Sequence, residues 1–75
     1  MVKDEYGEWA VAIRTKVINA DGSTLITETV RRERGSREGA ERVVRSREKA
    51  TLRADHPSAQ AWEIEILGMA LEISE

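Results

Sequence analysis

The chain has 75 residues with neither cysteine nor phenylalanine, and its 12 Lys and Arg against 14 Asp and Glu leave a formal net charge of −2. That length excludes a second core or a cleft walled by a separate lobe, and the missing cysteines exclude disulfides and thiolate metal sites. A core of this size supplies only about 3 to 5 kcal/mol, so a second subunit is the remaining means of stabilisation. The expectation is a homodimer, or docking on a larger protein.

Apolar residues make up 40% of the chain and charged ones 35%, with the apolar positions arranged periodically, which argues for a folded rather than a disordered chain. The first ten residues, MVKDEYGEWA, carry acids and no apolar stretch of signal-peptide length, and no window approaches the roughly 18 apolar residues of a membrane span. The expected protein is cytoplasmic, with no membrane partner.

In chain order, residues 9 to 17, WAVAIRTKV, set Trp9, Val11, Ile13 and Val17 on one side and Ala10, Ala12, Arg14 and Lys16 on the other, the pattern of a half-buried strand over about 8–18. Asp21-Gly22 then marks a tight hairpin into a second strand over about 24–33. Its register has two solutions. A two-residue turn sets Ile26 and Val30 on the inner face, with Glu28 between them; a three-residue loop with a glycine bulge sets Leu25, Thr27 and Thr29 there instead. The first puts aliphatics opposite Ile13 and Val17 and is the expected register.

Gly35 ends the second strand and Ser36 serves as N-cap for a helix over about 36–55, which Pro57 stops. At 3.6 residues per turn, Ala40, Val43, Val44, Ala50, Thr51 and Ala54 gather on one arc. A third strand over about 59–67 follows, with Trp62, Ile64 and Ile66 alternating against Glu63 and Glu65. The phase then changes, and Met69, Leu71 and Ile73 carry the apolar pattern. Leu67-Gly68 is either a turn into a fourth strand over 69–74 or a bulge in one long strand, and a further reading pairs this tail with another subunit. The fold class is α+β in the order ββαβ, one helix packed on an antiparallel-rich sheet, with that fourth strand in question.

Residues 31–53 hold nine of the bases, Arg31, Arg32, Arg34, Arg37, Arg42, Arg45, Arg47, Lys49 and Arg53, and four acids, a net charge of +5, whereas the rest of the chain carries −7. Arg37, Arg42, Arg45, Lys49 and Arg53 are candidate phosphate contacts for DNA or RNA. Against that reading, Glu38 and Glu41 stand at i,i+4 spacing to Arg42 and Arg45, the aromatics Tyr6, Trp9 and Trp62 lie outside the run, and the sequence is acidic overall. A solvated or protein-docking face accounts for the run more simply.

Arg47 falls in the middle of the apolar arc, and Glu28 is the odd residue on the inner face of the second strand under the adopted register. The expectation is that they pair; the alternative is that Arg47 snorkels outward. Trp9 and Trp62 are candidate core or interface anchors. His56 closes the helix, where a cation is favoured, and no residues stand at the spacing of a zinc site, a nucleophile elbow or a phosphate loop. The sequence therefore predicts a non-catalytic, self-associating interaction module without cofactor or metal, with nucleic-acid binding through the helix as the alternative. A distant third reading is an enzyme assembled at a dimer interface from Arg47, Glu28 and His56.

Overall fold

A computed structural model describes residues 5–74. The elements are β1 (Tyr6–Ile18), β2 (Thr24–Ser36), α1 (Arg37–Asp55) and β3 (Ala61–Ser74). The strands form one antiparallel sheet in the order β2-β1-β3, so both long partners of β1 are edge strands. The helix lies across one face of this sheet and touches all three strands. Among the described residues no helix is long and apolar enough to cross a membrane.

Strand β1 is central because its alternation is the cleanest in the chain. Trp9, Val11, Ile13, Thr15 and Val17 are all buried under the helix side, and the intervening residues face the uncovered side. Trp9 satisfies its indole N–H by donating to the Gly35 carbonyl at 3.1 Å, which ties the start of β1 to the end of β2.

The hairpin takes the register with the three-residue loop, correcting the expectation of a two-residue turn. Asn19 and Ser23 close the loop: the Asn19 N–H donates to the Ser23 carbonyl at 2.9 Å, and the Gly22 N–H donates to the Asn19 carbonyl at 3.0 Å. Gly22 has φ +89°, the left-handed conformation that a glycine bulge requires. Asp21 fixes the corner by accepting from the Ser23 N–H and hydroxyl at 2.9 and 2.6 Å, and those bonds hold its carboxyl below the usual range. Val17 therefore faces Leu25, Thr15 faces Thr27 and Ile13 faces Thr29. Local turn chemistry outweighed the gain from setting aliphatics opposite each other.

Residues 69–74 continue β3 and do not form a separate fourth strand. Ala12 pairs with Gly68 and Ile13 with Ile66, leaving Leu67 as an extra, bulged residue; a second shift falls at Glu72, between the Trp9–Leu71 and Glu8–Ile73 pairs. The Leu67 bulge reverses the phase, so Trp62, Ile64 and Ile66 before it and Met69 and Leu71 after it all lie opposite the inward residues of β1.

The helix begins as its sequence dictates. Ser36 is extended, and its hydroxyl accepts from the Gly39 N–H at 3.1 Å. At the other end the His56 N–H donates to the Leu52 carbonyl at 2.9 Å. Its buried residues are Ala40, Val44, Glu48 and Leu52, one straight row at four-residue spacing. Of the expected arc, Val43, Ala50, Thr51 and Ala54 are exposed. The helix is rolled because the inner face of β2 is polar: Arg31 stands there, and Glu48 turns inward to meet it.

Candidate functional site

Glu28 and Arg47 do not meet. With the bulged hairpin, Glu28 lies on the uncovered face of the sheet and pairs with Arg14 at 2.9 Å. Arg14 also reaches Glu65 at 3.4 Å, and the guanidinium between these carboxylates is held above its usual pKa, the Glu28 hydrogen bond contributing most. Arg47 points off the side of the helix and pairs with Glu33 at 2.9 Å. The charged pair under the helix is Arg31 with Glu48, whose side chain is 8% exposed while that of Arg31 is 50% exposed. The sequence carried a sign of it: Glu48 interrupts the row Ala40, Val44, Leu52.

The uncovered face is laced by cross-strand pairs. Besides Arg14 with its two carboxylates, Arg32 meets Glu72 at 2.8 Å, which raises the Arg32 pKa, and Arg34 approaches Glu8 at 3.9 Å. These are exposed pairs worth little each. Their effect is to satisfy most carboxylates of this face internally, over a floor of small residues that includes Ala10, Ala12, Gly68 and Ala70. Antiparallel sheets commonly keep one such face in water.

The helix side next to β3 is different. Arg37, Glu41, Arg45, Lys49 and Arg53 follow one another at four-residue spacing. Arg45 donates to the Ile64 carbonyl at 3.3 Å and reaches Glu41 at 3.5 Å, so this row runs beside β3. Arg53 sits over the Trp62 ring, 5.7 Å from its centroid, and the Trp62 indole N–H donates to the His56 carbonyl at 3.2 Å. Arg42, one step further toward solvent, lies 3.8 Å from Glu38. The structure thus brings together Arg45, Lys49, Arg53 and Trp62, with Arg37 at the far end of the row.

Two grooves that share Arg45 and Ile64 as lining residues lie between the row and the strand. One, of about 540 Å³, is lined by Arg37, Glu41, Arg45 and residues Ile64 to Met69. The other, of about 150 Å³, is lined by Arg45, Lys49, Trp62 and Ile64. The sequence placed Trp62 outside the basic run. The short return from His56 to Ala61 carries the strand back beside the last helical turn, and that brings the ring among the bases.

Trp9 is 5% exposed and belongs to the core with Val11, Ile13, Ala40 and Val44. No group of three or more His, Cys, Asp or Glu among the described residues is placed to hold a metal ion. His56 and Glu28 both line a cavity of about 280 Å³ together with Arg31 and Glu48, whereas Arg47 is not among its lining residues and pairs with Glu33. The chain was compared with family models, curated proteins and solved structures, and none of the three comparisons gave a match.

Proposed function

We propose that this protein is a non-catalytic interaction module that self-associates by setting the β3 edges of two copies side by side. One observation carries the reading: Trp62, Ile64, Ile66, Met69 and Leu71 form a continuous row on an unpaired edge strand, and the helix leaves every one of them partly exposed. Burying apolar area of this kind contributes roughly 25 cal/mol per Å². The other edge is less suited to pairing, because β2 carries Arg31, Arg32, Glu33 and Arg34 in succession, and charges blunt an edge. A second copy supplies a complementary surface without further invention, since a two-fold axis sets the apolar row of one β3 against that of the other.

Light scattering on a size-exclusion column tests this directly. The expected particle has twice the mass of the chain. Leu67 is 42% exposed at the bulge, outside the core, so Leu67→Lys is expected to keep the native circular dichroism spectrum while yielding a monomer. A wild-type protein that stays monomeric at every concentration, or a Leu67→Lys variant that dimerises as tightly as wild type, overturns the β3 edge as the interface.

A further inference from the structure

We infer that the helix row Arg37, Arg45, Lys49 and Arg53, together with Trp62, is a contact surface for single-stranded nucleic acid. Arg45, Lys49 and Arg53 follow one another about 6 Å apart along the helix, and Arg37 stands about 12 Å before Arg45 with Glu41 between them, so the row tracks a linear polyanion rather than a single charged group. Among the described residues Arg37, Lys49 and Arg53 form no ion pair with a carboxylate. Arg45 donates to the Ile64 carbonyl at 3.3 Å, and its contact to a carboxylate is an exposed one to Glu41 at 3.5 Å, the kind that a phosphate displaces at little cost.

The sheet separates the charges. Glu8, Glu28, Glu63 and Glu65 occupy positions on the uncovered face, opposite or beside Arg34, Arg14 and Lys16, whereas the row stands on the helix side. An acidic sequence therefore presents one basic stripe, and the overall charge of −2 does not describe the potential above it.

Trp62 decides the class of ligand. Single-strand binding surfaces combine a basic groove with an aromatic on which a base stacks, and here the indole is fixed from behind by its bond to the His56 carbonyl. Arg53 over that ring offers a guanidinium already held in place, suited both to stacking under a base and to a phosphate fork. An acidic peptide would use the charges and leave the ring idle. A duplex would bury its base faces and leave the ring equally unused. The surface shares Trp62 with the end of the β3 row proposed for self-association, while its cations project from the helix.

The test is fluorescence anisotropy with labelled oligo(U) and oligo(dT) of about a dozen nucleotides, titrated from low to physiological salt. The expected result is binding whose logarithm falls with log salt by about 0.7 for each phosphate neutralised. An Arg45→Ala, Lys49→Ala, Arg53→Ala triple variant, all at exposed positions, is expected to bind at least about tenfold more weakly. Trp62→Leu is expected to lose roughly tenfold with the salt slope unchanged, because stacking is removed and the charges are kept. Should Trp62→Leu fail to fold, as judged by circular dichroism, quenching of Trp62 fluorescence on titration with unlabelled oligo(U) replaces it; Trp9 is buried and serves as the internal control. No binding at low salt, an unchanged triple variant, or equal competition by oligo-glutamate or by duplex of matched charge overturns the assignment.

Discussion

A methyl group at position 7 would lie 1.9 Å from the Ile73 carbonyl oxygen and 3.0 Å from the Leu71 side chain. The close neighbour is backbone, which cannot swing away, so Gly7 is required by the approach of β3 to β1 just where the second bulge falls. Gly7→Ala is expected to push the end of β3 off the sheet and to lower stability by about 1 to 3 kcal/mol in urea denaturation. An unchanged midpoint would mean that β3 does not pair with β1 at this end. The pair Arg31 and Glu48 makes an asymmetric prediction. Arg31→Ala leaves the Glu48 carboxylate buried without its partner and is expected to cost about 1 to 3 kcal/mol. Glu48→Leu instead releases a half-exposed guanidinium to water and extends the row of Ala40, Val44 and Leu52, so it is expected to be neutral or stabilising. Equal losses from the two substitutions would contradict this account. So would a loss from Glu48→Leu alone.

At the scale of elements, the consequential choice is the hairpin register. Asn19-Ala20-Asp21-Gly22 fits two turns, and hydrophobic matching alone favours the wrong one, because the inner face of β2 is not apolar. One residue of slip exchanges the faces of β2, sending Glu28 out and Arg31 and Glu33 in. The roll of the helix follows from that exchange: Glu48 and Arg47 turn toward the β2 charges, and Val43 moves into solvent at 39% exposure. Element order, the cap at Ser36, the inward set of β1 and the phase change at Leu67-Gly68 were all legible in the sequence, since each rests on local periodicity or turn chemistry. The Arg31–Glu48 pair and the placement of Trp62 beside Arg53 were not, because both depend on packing between separate elements. The Leu67 bulge tests the phase argument. Deleting Leu67 makes β3 regular with Ile66 and Met69 two positions apart, so Met69 and Leu71 stay opposite Val11 and Trp9 and the variant is expected to keep the cooperative urea transition with its midpoint little changed. Loss of that transition would show that Leu67 is not the extra residue that sets the phase of the strand's second half.

For the whole molecule, the Cα radius of gyration is 14.2 Å, against about 11 Å for a compact domain of this length. The principal extents are 47, 21 and 16 Å, so the sheet is a long, thin plate with one helix on it. The buried apolar residues among those described are Trp9, Val11, Ile13, Val17, Ala40, Val44 and Leu52, and four of them come from β1. Such a core is small for three strands of this length, and the conformational entropy of ordering each residue opposes it. Apolar surface meanwhile remains outside the core: Ile66, Met69 and Leu71 pack against it only in part, and Leu67 and Ile73 are exposed on the same strand. If pairing of β3 edges completes the fold, association is linked to folding, and stability must depend on protein concentration by mass action. The midpoint of thermal unfolding is therefore expected to rise by several degrees over roughly a hundredfold increase in concentration, and to become independent of concentration in Leu67→Lys. Salt separates this from an electrostatic origin. Screening weakens the exposed ion pairs of the uncovered face but not the burial of an apolar row, so the concentration dependence should survive in high salt. A wild-type midpoint that ignores concentration would mean that the plate is stable as a monomer and that the β3 row is left to water.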